Sequence, residues 1–277
     1  MAAWLSLREA LAPVADGTRL AIGGMTLYRR PVAAALEIAQ RGVRGLDVTT
    51  LTAGIECDLL IGAGCIATLR SCYTGLEIAG LAPHFTRAAK ARTLRIVEET
   101  EYTLSYAVQA AAMKVPFLPM LDSLGGTDIP ASRPDLKRFD CPLTGQSLIA
   151  VPALRVDVAL IHAAAADEHG NCWLPGQLAL DPHLPFIAGQ TIVTVERRVS
   201  TEELLGMQGG AKLPHYCIDH LALLPGGSYP TSCHPTRTLS TEAVLDYIEA
   251  TESPAAWAEW LKTAHARHDM EAVHAAR

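Results

Sequence analysis

Two periods alternate along this chain. Short aliphatic and β-branched runs at 19–22, 47–53, 65–73, 94–97, 115–121, 147–154, 156–166, 191–199 and 217–225 read as strands. Between them, apolar residues recur at offsets of three and four. This predicts helices over 3–15 (ended by Asp16-Gly17), from Pro31 onward, at 56–63 and 83–91, after Ser200-Thr201, at 241–250, and from Ser253-Pro254 to about 268. Pro31 suits a first helical position, where its missing N–H costs nothing, and Val32, Ala35, Leu36 and Ala39 give that helix a buried face. The 156–166 run is almost wholly apolar, as expected of a strand covered on both faces. Strands alternating with helices predict an α/β fold whose sheet is mainly parallel with helices on both faces. The composition turns to Pro, Asp, Lys and Arg at 131–145, which reads as a loop excursion within a single domain spanning 1–277. No repeat at a fixed period is visible.

The pattern is densest between Leu94 and Pro130. An apolar run ends in Glu98, Glu99 and Glu101. Leu104, Ala107, Val108, Ala111 and Ala112 then mark one helical face, and a second run leads into Gly125-Gly126-Thr127-Asp128. Ligands of α/β sheets sit beyond the carboxyl ends of strands, so acids and glycines here are expected to face one crevice. Glu101 is taken as the inward-facing acid, because it shares the side of Leu104 and Val108. Burial would raise its pKa toward the range useful for proton transfer and the helix N-terminus would lower it; the sequence leaves the balance open.

Three further stretches carry polar chemistry. Gly23-Gly24 links a strand to a helix through Arg29 and Arg30, placing backbone N–H groups and two cations near one turn, as an anion contact requires. Gly226-Gly227-Ser228 follows an apolar run and offers either a tight turn or a backbone wall for a ligand. His162 and His169 flank a polar strand end, but no third ligand stands at a metal-binding spacing, so no metal is expected. Nucleotide-binding glycine motifs and a G-x-S-x-G elbow are absent from the sequence.

Composition narrows the classes. With 49% hydrophobic residues a large core is available, and the 5% aromatic share makes it an aliphatic one. No apolar run reaches the ~18–20 residues that cross a bilayer, so no membrane is expected. A net charge of −6 without a basic run argues against nucleic acid. Arg8, Glu9 and Asp16 interrupt the N-terminal stretch, which reads as an amphipathic helix rather than a signal peptide. Seven cysteines without a C-x-x-C pair read as reduced thiols of a cytoplasmic protein.

Taken together, GGM…RRP at 23–31, PFLP…GGTD at 116–128, VDVALIHAAAADEHGN at 156–171, TIVTVERRVSTEEL at 191–204 and PGGSYPTS at 225–232 resemble the α (A) subunit of family I coenzyme A transferases. The glutaconate CoA-transferase type and its steroid-ring hydrolase relatives are the nearest branches. The resemblance implies the transferase superfamily fold, a β-type partner in a heterodimer or heterotetramer, and an active site at their interface. It implies an acyl-CoA thioester as substrate, no bound cofactor, and a nucleophilic glutamate on the partner. Gly125, Gly126, Thr127 and Asp128, with Gly23, Gly24, Gly227 and Ser228, would line the acyl pocket. Arg29 and Arg30 would meet an acyl carboxylate. Transfer of CoA between carboxylic acids is the first reading. In the hydrolase branch, which opens a cyclic ketone of a CoA thioester, Glu101 would be the acid/base. A non-catalytic effector-binding module of the same fold is the reading from another class.

Overall fold

The computed structural model describes residues 3–275, with side chains described to 264 and at 266. An eight-stranded sheet organises the chain. Its order is Ala3–Trp4, His220–Leu223, Ala188–Val195, Val156–Ala163, Arg19–Ile22, Leu46–Thr49, Ile66–Ser71 and Arg95–Glu98. Every pairing within it is parallel, so all the carboxyl ends share one edge. The chain steps outward from Arg19–Ile22 to Arg95–Glu98, returns to Val156–Ala163 beside its starting strand, and then steps the other way. The reversal falls between Arg19–Ile22 and Val156–Ala163, where open α/β sheets form their crevices.

Alternation along each strand separates two cores. Leu20, Ile22, Val158, Leu160 and Ile192 face one core, while Ala21, Ala159, Ile161 and Val193 face the other. Over the first lie the helices Val32–Gln40, Ile55–Gly62, Pro83–Ala91, Thr241–Ala250 and the start of Pro254–Ala275. The Val32–Gln40 helix is apolar on nearly every side because it also packs beneath the last helix. The second core is covered by the Glu101–Ala112 helix and by a small four-stranded sheet that contributes Cys172, Leu174 and Leu213. Helices thus cover one face fully, and share the other with a second sheet.

Two expectations change. The N-terminal helix is only Leu7–Ala10, capped by Ser6 and Glu9, because Ala3–Trp4 pairs as an edge strand with His220 and Leu221. The 131–145 excursion is not a loop throughout. It contains the strand Lys137–Asp140, which joins Ser147–Pro152 and Phe117–Leu121 in a three-stranded antiparallel sheet. None of the seven cysteines is bridged. Among the described residues no helix is long and apolar enough to cross a membrane.

Candidate functional site

The reversal point of the sheet is filled from within the chain. Asp181, fully buried, accepts the Gly24 N–H at 2.8 Å and the Arg29 Nη1 at 2.7 Å. Arg29 also donates to the carbonyls of His162 (3.1 Å) and Gln177 (2.6 Å). A Cβ at Gly23 would come within 2.6 Å of the Asp181 carboxylate, so glycine is required for this approach. Arg30 is equally enclosed, pairing with Glu56 and donating to Thr50 Oγ1 (3.1 Å) and the Thr52 carbonyl (3.2 Å). The expectation that Arg29 and Arg30 meet an acyl carboxylate is therefore corrected. Both guanidiniums are buried and matched to acids 152 and 26 residues away. Gly23 and Gly24 likewise face the interior.

Gly227 and Ser228 are interior too. Backbone bonds from Ala33 N to Gly227 O (3.0 Å) and from Arg29 N to Ser232 O (2.7 Å) join this turn to the glycine pair at 23–24, so the two glycine segments form one block. Glu196 holds the turn down, taking the Gly226 N–H at 2.7 Å and the Ser228 hydroxyl at 3.2 Å. The same carboxylate meets His162 Nε2 at 3.0 Å, while His162 Nδ1 meets Thr194 Oγ1 at 2.8 Å. These segments are scaffold rather than an acyl pocket.

Burial opposes the imidazolium of His162, but the nearby Cys233 and the Glu196 carboxylate bonded to it outweigh that and raise its pKa to about 9. Burial also opposes the Glu196 carboxylate, and its bonds to His162 and the Gly226 N–H outweigh that in turn, lowering it to about 2. His162, Glu196 and Cys233 bring donor atoms of zinc-binding type within 4.8 Å of one another, yet His162 and Glu196 are already satisfied by protein partners. The His162 contribution to stability is complete below its ordinary pKa near 6.5 and fades as pH rises through about 9. That of Glu196 is complete above 4.5 and fades as pH falls toward 2. Thermal midpoints measured across pH should therefore be highest between 4.5 and 6.5 and fall on the alkaline side toward 9; in His162→Gln the alkaline fall should be shallower.

The acids at the end of Arg95–Glu98 divide differently from expectation. Glu99, not Glu101, turns inward: it is buried between Arg70 and Arg133 Nη1 (2.6 Å) and accepts from the Thr103 hydroxyl. Glu101 is exposed and among the described residues makes no hydrogen bond or ion pair. The cause is its place in the first turn of the Glu101–Ala112 helix. Helical side chains lean toward the N-terminus, so at this position the carboxylate projects beyond the helix instead of joining Leu104 and Val108 in the core. Gly125, Gly126, Thr127 and Asp128 are exposed as well, and a Cβ on either glycine would meet open space. The helix Ile129–Ser132 follows directly, and then Arg133, which also donates to the Glu98 carbonyl at 3.1 Å. The structure thus ties the Gly125–Asp128 turn to the glutamates. Of the residues expected at the site, Glu101 and Gly125–Asp128 are accessible, and the rest are interior.

Residues 5–222 match the coenzyme A transferase family, to which this chain belongs. It is 35% identical over 238 residues to the A-type subunit of 3-oxoadipate CoA-transferase from Pseudomonas knackmussii, covering 84% of this chain and 83% of that one. It is 28% identical over 279 residues to the cholesterol ring-cleaving hydrolase IpdA subunit of Rhodococcus jostii, covering 94% and 90%. Among solved structures, the decarboxylase AibA/AibB superposes with a TM-score of 0.86 at 32% identity, over 95% of this chain and 97% of that one. Glutaconate coenzyme A-transferase from Acidaminococcus fermentans superposes with a TM-score of 0.83 at 29% identity, over 94% and 87%. The expected family and its mainly parallel sheet are those found.

Proposed function

We propose that this chain is the A-type subunit of a heteromeric coenzyme A transferase that moves CoA between carboxylic acids, completed by a B-type subunit in a heterodimer or heterotetramer. One observation carries the reading. Among the described residues the buried acids are each already bound within the chain: Asp181 to Arg29, Glu56 to Arg30, Glu99 to Arg70 and Arg133, Glu196 to His162, Asp58 to Tyr247, and Asp167 to Asn171 and Thr201. A carboxylate that attacks an acyl-CoA must be enclosed yet free to form a mixed anhydride with release of the CoA thiolate. It must then become a glutamyl–CoA thioester, as that thiolate attacks the glutamyl carbonyl and the carboxylic acid leaves as its carboxylate. Nothing among these buried acids fits that description, so the nucleophile comes from the partner. Beside Glu101 lies Tyr102, 66% exposed and stacked on Tyr106 at a ring-centroid distance of 6.1 Å. Exposed aromatic surface beside a site suits coverage by another subunit.

In this reading Glu101 and Gly125–Asp128 face the acyl-CoA, and N–H groups of the glycine turn stabilise the charge that develops on the thioester oxygen. Gly23, Gly24, Arg29, Arg30, Gly227 and Ser228 hold the scaffold. The chain works as a single domain in the cytoplasm, with CoA thioester as substrate and neither metal nor resident cofactor. The second reading, hydrolytic opening of a ring ketone on a CoA thioester, is favoured by the unpaired Glu101, whose open carboxylate suits an acid/base.

Glu101→Gln, assayed in the two-subunit complex, separates the readings. A transferase whose nucleophile lies on the partner should keep CoA transfer within roughly tenfold of wild type. A ring hydrolase should lose about 100-fold or more. A 100-fold loss of transfer in the transfer assay would contradict the first reading.

A further inference from the structure

We infer that Glu99 and Arg133 are positioning residues, a buried clasp that holds the Glu101 end of its helix against the Gly125–Asp128 turn. The inference rests on the reading above, in which both segments face the acyl-CoA.

The clasp has two arms. On the helix side, Glu99 Oε2 accepts from Thr103 Oγ1, and Thr103 caps the helix reciprocally with Thr100, at 2.9 Å from Thr100 N and 3.0 Å from Thr103 N to Thr100 Oγ1. The carboxylate of Glu99 thereby fixes the turn from which Glu101 projects. On the turn side, Arg133 closes the helix Ile129–Ser132 that follows Gly125–Asp128. Its guanidinium reaches Glu99 Oε1 at 2.6 Å and the Glu98 carbonyl at 3.1 Å. Asp135 grips the other side of the guanidinium through Nε at 2.9 Å and Nη2 at 2.7 Å, a planar fork that sets its orientation. That bond holds the Asp135 carboxyl below its ordinary range. Arg70, from the end of the neighbouring strand Ile66–Ser71, supplies the second cation to Glu99.

Glu99 and Arg133 are both nearly inaccessible, so neither is placed to touch substrate. By contrast the two segments they join are open. A Cβ at Gly125 or Gly126 would meet open space; Leu124 before them is anchored in a small core with Ile129, and the clasp fixes the far end of the helix that follows. A displacement near 1 Å at such a site costs about 100-fold in rate.

The test uses the co-expressed two-subunit complex with Glu99→Gln, which keeps the shape of the side chain and removes its charge, and with Arg133→Lys as a second variant. The expected result is a kcat lowered by about 10- to 100-fold with KM within about threefold, in complexes whose thermal midpoints stay above the assay temperature. Amide exchange should rise together in the 101–104 and 124–128 segments. Unchanged kcat in both folded variants would overturn the positioning role. Exchange decides separately from transfer activity: were the wild-type complex to transfer no CoA, the functional reading would fail by itself, and equal exchange in variant and wild type would still overturn the clasp.

Discussion

Asp181→Ala should lower stability by about 3–5 kcal/mol, the cost of leaving a buried cation without its partner. For a chain of this size that corresponds to a thermal midpoint lower by roughly 10 °C. Arg29 cannot turn to solvent, since it is buried and held by the carbonyls of His162 and Gln177. The Gly24 N–H loses its acceptor in the same substitution. The loss should exceed that from Asp157→Ala, whose partner Arg19 is about half exposed and free to solvate. Removing both charges in Arg29→Met with Asp181→Leu should recover much of the loss, because no buried charge then stands alone. Urea unfolding of the four proteins gives the comparison. Equal losses for Asp181→Ala and Asp157→Ala would show that the reversal point of the sheet is not locked by this pair.

The second large effect concerns activity. The chain by itself should show no CoA transfer above background, and adding the B-type subunit should restore it. Asp181, Glu56, Glu99 and Glu196 are each matched to a cation or an imidazolium, buried Asp58 and Asp167 are held by neutral donors, and Glu101 lies at an exposed helix end where water competes with any substrate. Attack on a thioester by a carboxylate needs an enclosed site from which water is kept, because the acyl-enzyme anhydride and thioester would otherwise hydrolyse. Closure requires a second surface, which the B-type subunit supplies in the proposed reading.

Much of the architecture was legible from local pattern. The helices 83–91 and 241–250 were bounded to the residue, because Pro83 starts the first and Ser240 caps the second. The buried strand Val156–Ala163 falls within the nearly all-apolar run at 156–166. What local pattern missed depends on distant partners. Ala3–Trp4 is a strand only because His220 and Leu221 lie beside it. Lys137–Asp140, too charged to read as a strand, is held by Ser147–Ala150 across a hairpin.

The same distinction governs the site. Adjacent arginines before a helix read as an anion contact, and nothing near them in the sequence shows that Asp181 and Glu56 will meet them first. Glu101 shares the helical face of Leu104 and Val108 but sits in the first turn, where side chains run off the end of the helix. Glu99, one residue before the Thr100 cap, takes the interior place. Its partner Arg133 lies in the stretch read as a loop, so the clasp had no sequence signal beyond an isolated arginine after a proline-containing turn. Membership of the family was legible because five separate segments kept their order; which chemistry the fold carries was not, since relatives of similar fold include a transferase, a ring-cleaving hydrolase and a decarboxylase.

The shared-site account is tested most directly by the masses of the two subunits once the complex has been mixed with an acyl-CoA and stopped with borohydride, which reduces an enzyme-bound glutamyl thioester. A change confined to a glutamate of the B-type subunit, with this chain at its unmodified mass, is the predicted result. Modification of Glu101 or another carboxylate of this chain, with the partner unchanged, would contradict it.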